Sequence, residues 1–192
     1  MNRSPEQAQA FFATLFEAHH ARVLAYALRR TSSSADAEDM AAATFITAWR
    51  KCHEIPADAL PWLYGVARRV LANQRRGALR RLRLTLRLRP AEQTEERLGT
   101  DSGPAMAALA RLRPDDQEVL RLVAWEGLDH AQIAHVLGVS VNAVAIRLYR
   151  ARRRFEQQFA HANGGDRKDS ARSRTSGSVK GNYVGDVREE TR

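Results

Sequence analysis

Apolar residues recur at helical spacing along most of the first 160 positions, and no strand-like alternation persists. Ser4-Pro5-Glu6-Gln7 predicts a helix start, because serine can cap, proline suits the first turn and glutamine completes a capping box. Further helices are predicted over 35–52 and 62–88. One face of the first helix carries Phe12, Leu15, Phe16, His19, Val23 and Tyr26, and the third has Trp62, Leu63, Val66, Val70 and Leu71 as its buried stripe. The pattern favours an all-α fold.

The composition changes between Pro90 and Pro104, where the chain is acidic, poor in apolar residues and ends in Ser-Gly-Pro. This segment predicts a flexible linker. Beyond it, Asp115 with Glu118, and Asp129 with Gln132, predict two further helix starts. The last 32 residues are rich in Gly, Ser and charges, which predicts a disordered tail. We therefore expect two small helical domains over 5–89 and 105–160, a linker over 90–104 and a tail over 161–192.

The net charge of the chain indicates what kind of partner it binds. Lys and Arg exceed Asp and Glu by 31 to 22, giving a net charge of +9 and a pI near 10.7. Such an excess indicates a polyanionic partner, with nucleic acid favoured over a membrane surface. No run approaches the roughly 18 apolar residues of a membrane span, no signal peptide is visible, and Cys52 is the only cysteine. We expect a soluble cytoplasmic protein without membrane insertion.

Gly127 to Phe155 has the pattern of a helix-turn-helix. Gly138 falls where a left-handed turn residue is needed, and Ser140 can cap the second helix. That helix has an inward stripe of Val144, Leu148, Ala151 and Phe155. Arg147 is placed to read a guanine, whereas the later arginines, Arg150, Arg152, Arg153 and Arg154, suit phosphates. The alternative is a solvated basic helix in a bundle.

Nine arginines and no acid lie between Arg68 and Arg89. The run alone is compatible with a solvated face, an RNA-binding arm or a membrane-surface helix. Because Trp62 and Tyr64 precede it, a surface that holds unstacked bases of a single strand is a further interpretation. Core packing is the alternative for both aromatics.

An acidic cluster at Asp36, Glu38 and Asp39 contrasts with this basic chain. It is interpreted either as a favourable partner of a helix dipole or as a protein-binding face that is kept off DNA. His130 and His135 lack an evident third ligand, so no metal site is predicted. Without a phosphate loop, nucleophile motif or metal cluster, we expect neither a cofactor nor an enzyme.

Together, "DAEDMAAATFITAWRKC", "PWLYGVARRVLANQRR" and the helix-turn-helix resemble regions 2 and 4 of the sigma-70 family, in its extracytoplasmic-function (ECF) group. The resemblance spans about residues 10–159. It implies a sigma factor that binds core RNA polymerase, through the β′ clamp helices and the β flap, and directs initiation at promoter DNA. It also makes an anti-sigma factor an expected partner.

The resemblance assigns residues to three surfaces. Polymerase binding falls on Asp36, Glu38, Asp39, Phe45 and Trp49. Recognition and melting of the −10 element fall on Trp62, Tyr64, Arg68, Arg69, Asn73, Arg75 and Arg76, with the loop 53–60 expected to hold a flipped base. Recognition of the −35 element falls on Ser140, Asn142, Ala143, Ala145, Ile146, Arg147, Arg150 and Arg153.

The chain departs from the family pattern at several of these positions. Ala42 and Ala43 stand where polar residues are frequent, which implies a weaker or shifted polymerase contact, and Arg69 stands where asparagine is common. Ala143 and Ala145 remove hydrogen-bond donors from the DNA face, which predicts an unusual −35 preference. The competing hypotheses are a stand-alone helix-turn-helix regulator and an RNA-binding protein that uses the arginine run.

Overall fold

The computed structural model describes residues 4–86 and 103–175, and side chains within 4–81 and 103–161. These residues form seven helices: α1 Pro5–Leu28, α2 Ser34–Arg50, α3 Ala59–Leu86, α4 Pro104–Ala110, α5 Pro114–Ala124, α6 His130–Leu137 and α7 Val141–Thr175. No strand occurs among them. The all-α class and the two helical bundles are confirmed, with α1–α3 forming the N-terminal bundle and α4–α7 the C-terminal bundle.

Local signals place several helix starts where the sequence predicts them. Ser4 caps α1 in a complete capping box with Gln7. The helix start predicted near Asp115 is confirmed, since α5 begins at Pro114. The cap predicted there is wrong, because the capping position is Arg113, which makes no side-chain cap hydrogen bond. Proline suits this first position because its missing N–H leaves no donor unsatisfied there.

The predicted linker and the predicted tail both lie partly outside the residues that the structure describes. The predicted linker lies outside them except at its end, where α4 begins at Pro104. The predicted tail begins at residue 161, yet α7 continues through Thr175. Extending an existing helix adds a backbone hydrogen bond per residue without requiring apolar burial. Residues 176–192 lie outside the description.

The core has two parts. A smaller cluster lies inside the N-terminal bundle and contains Leu15, Val23, Ala41, Phe45, Ala48, Ile55, Ala59 and Leu63. A larger cluster is shared by the two bundles, since it joins Tyr26, Met40 and Tyr64 to Val119, Leu122 and Ile133. The two bundles are thus packed against each other, chiefly through α3 and α6.

Candidate nucleic-acid interface

The helix-turn-helix forms as predicted, from signals within a few residues of each turn. Asp129 and Gln132 make a reciprocal capping box at the start of α6, with hydrogen bonds of 2.8 and 3.1 Å. Gly138 ends α6 with φ of +66°, in the left-handed region. Ser140 Oγ then accepts a hydrogen bond from the Ala143 N–H at 3.2 Å. These contacts fix the direction in which α7 leaves the turn.

Alanine at Gly138 is expected to lower the free energy of unfolding by about 1–2 kcal/mol, because a Cβ makes the left-handed conformation costly. The same replacement at Gly77 is the matched control. Gly77 lies inside α3 with open space around its Cβ position, so alanine there should stabilise by roughly 0.5–1 kcal/mol. Urea unfolding of both variants measures the difference. Equal effects at the two positions would contradict the strained-turn assignment.

The face of α7 that points away from the bundle is accessible to a groove of DNA. Val144, Leu148 and Ala151 are buried, which leaves the opposite side of the helix turned away from the bundle. Exposed positions predicted to contact DNA are Ser140 just before α7, then Asn142, Ile146, Arg147, Arg150 and Arg153, and Tyr149 is exposed beside them. Ala143 and Ala145 are half-buried between them. This division of faces is the one that a recognition helix needs.

A basic cleft lies beside this face at the start of α5. Arg113, Arg147, Arg150 and Arg154 line it together with Asp115 and Asp116. Arg113 was missed by the sequence prediction, since it precedes α5 and carries no motif. Arg154 is paired with the buried Asp116 at 2.6 Å, and its phosphate role stays a prediction.

Arg152, also predicted to bind phosphate, lies outside this cleft. Its side chain lines an apolar groove of about 280 Å³ with Leu109, Trp125 and Phe155, away from the cleft that Arg147 lines. A long side chain can cover apolar surface with its stem in this way. The groove is therefore a second surface of the C-terminal bundle, distinct from the recognition face.

Trp62 and Tyr64 of α3, the two aromatic residues predicted to hold unstacked bases, differ in exposure. Tyr64 is 1% exposed and stacks on Tyr26 with ring centroids 4.9 Å apart, so its assignment to single-stranded DNA is corrected to core packing. Burial, and secondarily Glu126, raises the pKa of the Tyr64 phenol. Trp62 is half-buried against the N-terminal cluster. Only Trp62 of the two retains accessible surface.

The polar residues assigned to the same face stay accessible. Arg68 is half-buried, whereas the exposed members are Arg69, Asn73, Arg75 and Arg76. Arg76 donates to Asn73 Oδ1 at 2.5 Å. Arg75 donates to the backbone carbonyl of Arg30 at 3.1 Å, which ties its guanidinium to the end of α1. The structure thus brings a basic strip together along α3.

The acidic cluster on α2 is exposed. Asp36, Glu38 and Asp39 are all at the surface, and Ser33 caps the helix by accepting from the Asp36 N–H at 3.1 Å. Residues at i, i+7 and i+10 share a helix face, so Asp39 shares one with the exposed Ile46 and Trp49. Ile46, 52% exposed, is absent from the predicted set.

Phe45, also assigned to polymerase binding, lies in the core instead. It is 3% exposed and packs edge-on against Phe16, with centroids 4.8 Å apart, and against Phe12 at 6.3 Å. A partner protein therefore has no access to its ring. Trp49 contacts Phe12 edge-on at 5.1 Å and remains 46% exposed.

Known proteins resemble both bundles. The Sigma-70 region 2 family matches residues 15–81, and the Sigma-70, region 4 family matches residues 102–155. The ECF RNA polymerase sigma factor SigL of Mycobacterium tuberculosis is 32% identical over 152 residues, which cover 74% of this chain and 85% of SigL. The RNA polymerase sigma factor CarQ of Myxococcus xanthus is 32% identical over 160 residues, covering 78% of this chain and 90% of CarQ.

The chain belongs to the sigma-70 family, in its ECF group. It is thus an RNA polymerase sigma factor, a transcription initiation factor whose N-terminal bundle is region 2 and whose C-terminal bundle is region 4. Sigma factors are regulatory factors rather than catalysts.

Solved structures share the fold of this sigma factor. The sigma factor RpoE from Bartonella quintana, solved in complex with the anti-sigma factor NepR, aligns with a TM-score of 0.60 at 22% identity, covering 77% of this chain and 95% of that one. CnrH, in complex with the cytosolic domain of CnrY, aligns with a TM-score of 0.51 at 25% identity, covering 76% and 85%. The arrangement of helices therefore recurs in relatives of modest identity.

Regions 2 and 4 of this sigma factor are joined by buried ion pairs. Arg30, at the end of α1, contacts Glu118 Oε2 through Nε at 3.0 Å and Glu126 Oε1 through Nη1 at 3.0 Å. The side chains of Arg30 and Glu126 are each 2% exposed. Arg29 adds a 2.6 Å pair to Glu126, and the Tyr26 hydroxyl donates to Glu118 at 3.1 Å. We call Tyr26, Arg29, Arg30, Glu118 and Glu126 the interdomain cluster.

Two further observations concern other classes of site. Within residues 4–81 and 103–161, no group of three or more His, Cys, Asp or Glu side chains is placed to hold a metal ion. No single described helix is long and apolar enough to cross a membrane, although α6 and 141–161 of α7 meet that test jointly across a 99° bend.

Proposed function

We propose that this sigma factor binds core RNA polymerase through α2, the −10 element through α3 and the −35 element through α7. The observation that carries the proposal is that one chain displays an acidic face and two basic faces on separate helices. A stand-alone regulator needs only the basic face of α7. Tethering two weak readers to one polymerase raises their effective concentration, so neither needs high affinity alone.

The polymerase contact is proposed for Asp36, Glu38, Asp39, Ile46 and Trp49. Exposed carboxylates steer the approach of a basic partner, and the exposed apolar pair supplies area that is desolvated on binding. Ala42 is exposed between them and offers no polar group. The β′ clamp helices are the proposed partner of this face.

The −10 surface is proposed along α3. Trp62 offers a partly accessible ring, and the cationic side chains of Arg68, Arg69 and Arg76 can follow a single-stranded backbone. The loop 53–60, which precedes this helix, is the proposed site of a flipped base. Tyr64 takes part only by shaping the core beneath.

The −35 surface is proposed on α7 and in the basic cleft. Arg147 and Asn142 can reach base edges, while Arg150, Arg153 and Arg113 lie nearer phosphates. Ala143 and Ala145 present only methyl groups, which suit thymine contacts better than hydrogen-bonded readout. The proposed consequence is an unusual −35 preference.

Two protein partners are proposed for region 4 besides DNA. The apolar groove that Met106, Leu109, Trp125 and Phe155 line suits an apolar helix. We propose the β flap of polymerase as its occupant during initiation, and an anti-sigma factor as a regulatory partner. The proposed site of action is the cytoplasm, and no catalytic activity of its own is proposed.

Mixing the purified chain with core RNA polymerase tests the proposal. We expect co-elution in size exclusion and new transcripts from a fragment library of the source genome, with 5′ ends that share two upstream elements. Core polymerase alone is the control. Binding of the chain to DNA without any co-elution with core would instead support the stand-alone regulator.

A further inference from the structure

We propose that the apolar groove of region 4 binds a small apolar carboxylate, and that this ligand competes with the β flap for the same surface. The competition rests on the β-flap contact proposed above, whereas binding of the ligand to the free chain does not. The groove belongs to region 4 alone, because its lining residues come from 105 to 155.

The groove has an apolar lining and a small volume. It lies between α4, α5 and α7, with Met106 and Leu109 on the first, Leu120 on the second and Phe155 on the third, and its volume is about 280 Å³. Met106 and Trp125 are each 40% exposed, so apolar surface in it is open to solvent. Ligand pockets begin at about 300 Å³, so the groove suits a small apolar ligand rather than a large cofactor.

Two arginines give this apolar groove a positive charge. Arg121 of α5 and Arg152 of α7 both line it, and none of the described lining residues is acidic. Within the part of the chain whose side chains are described, neither guanidinium is ion-paired with a carboxylate. The Nε of Arg121 is buried and has no hydrogen-bond partner among those residues. The groove therefore combines apolar surface with unpaired positive charge.

The charge of Arg121 is poorly compensated by its surroundings. Burial, and secondarily Arg30, lowers the pKa of the Arg121 guanidinium. Glu118 acts in the opposite direction, but its carboxylate is already paired with Arg30 Nε at 3.0 Å. Partly buried charges are stable when they are paired, so a ligand anion supplies what Arg121 lacks.

Trp125 connects the charged and the apolar parts of the groove. The guanidinium of Arg121 lies 5.8 Å from the centroid of the Trp125 ring, and both side chains line the groove. A ligand whose apolar part contacts the indole therefore has its anionic end close to Arg121. The same contact makes the fluorescence of Trp125 a reporter of binding.

The lining favours a carboxylate over a phosphate. A carboxylate has two oxygens, which planar guanidinium groups bind in pairs. A phosphate monoester has three oxygens that need donors, and the lining side chains other than the two arginines offer only the indole N–H of Trp125. An oxygen buried without a hydrogen bond is costly, so the smaller anion fits better.

Isothermal titration calorimetry of the full chain with octanoate tests binding. Affinity should rise about fourfold per methylene from hexanoate to octanoate, because each buried methylene adds hydrophobic free energy. Octan-1-ol and octylammonium have the same chain without the carboxylate, and they should bind about tenfold more weakly or less. If octanoate does not bind, or if all three bind equally, the carboxylate site is overturned.

Substitutions locate the site. Arg152→Gln, at an exposed position, should weaken octanoate binding about fivefold, and Arg121→Gln, at a half-buried one, about tenfold or more. Arg111→Gln is the matched control, since Arg111 is exposed on region 4 outside the groove lining. Octanoate should change the tryptophan fluorescence of the wild type but not of Trp125→Phe. Wild-type affinity in both groove variants would overturn the site, and the exposed Arg152→Gln decides alone if circular dichroism shows Arg121→Gln unfolded.

Transcription with core polymerase tests the competition. Octanoate at about ten times its Kd should lower promoter transcription about tenfold when the sigma factor is limiting, by mass action. A chain with both Arg121→Gln and Arg152→Gln should be insensitive to the same concentration. A wild-type chain that binds octanoate and transcribes equally well with it would overturn the competition. If the wild type supports no transcription without octanoate, the proposed function is wrong, and calorimetry still decides whether the groove binds a carboxylate.

Discussion

Alanine in place of Arg147 should weaken binding of the −35 element by about 5- to 150-fold and leave polymerase binding unchanged. A bidentate arginine–guanine contact discriminates by roughly 1–3 kcal/mol, which sets this range. The side chain is exposed on the first turns of α7, and its direction is fixed by its neighbours Val144 and Leu148, both buried. Fluorescence anisotropy of promoter duplexes with reconstituted holoenzyme measures the loss. Sequence preference should relax at one base position only.

Two arginines of the same helix serve as controls. Arg152→Ala removes an equal charge from the groove side of α7 and should change affinity little. Arg150→Ala, on the cleft side, should weaken binding equally for all sequences and reduce the salt dependence by about one counterion. A loss shared equally by Arg147→Ala and Arg152→Ala would mean that total charge, not base readout, drives binding.

The features that the sequence predicts correctly are local ones, in which the interacting residues lie within a few positions of each other. The capping boxes Ser4–Gln7 and Asp129–Gln132, the left-handed Gly138 and the cap at Ser140 all form. Each depends on backbone donors one turn away, so the surrounding fold hardly alters it. The helix-turn-helix could therefore be predicted down to the buried Val144, Leu148 and Ala151 of α7, whereas Phe155 of the predicted stripe is half-buried.

Aromatic residues show where this reasoning stops. Phe45 and Tyr64 occur in amphipathic helices beside charged residues, a pattern equally typical of a binding face and of a core edge. Their burial depends on what packs over them. For Phe45 the cover is α1, and for Tyr64 it is Tyr26 together with α6 of the other bundle.

The interdomain cluster has no local signature at all. Arg30 and Glu126 are 96 positions apart, and each alone is an ordinary charged residue near a helix end. Glu118 was expected to complete a helix cap and binds Arg30 instead. Arg113 likewise joins the basic cleft only because α5 begins beside α7. Ionic contacts over such separations require the tertiary structure.

Arginine in place of Asp39 should reduce binding to core polymerase at least tenfold while leaving binding of the −35 duplex intact, the reverse of Arg147→Ala. Asp39 is exposed on α2, on the face shared with Ile46 and Trp49, so reversal changes the proposed contact without disturbing the core. A like charge placed against a basic partner costs several kcal/mol when it is desolvated. Co-elution with core polymerase measures the first effect, and fluorescence anisotropy of a labelled −35 duplex without polymerase measures the second. Glu17→Arg, an exposed reversal on α1 of the same bundle, controls for net charge; a matching loss in that variant would show that α2 is not the docking face.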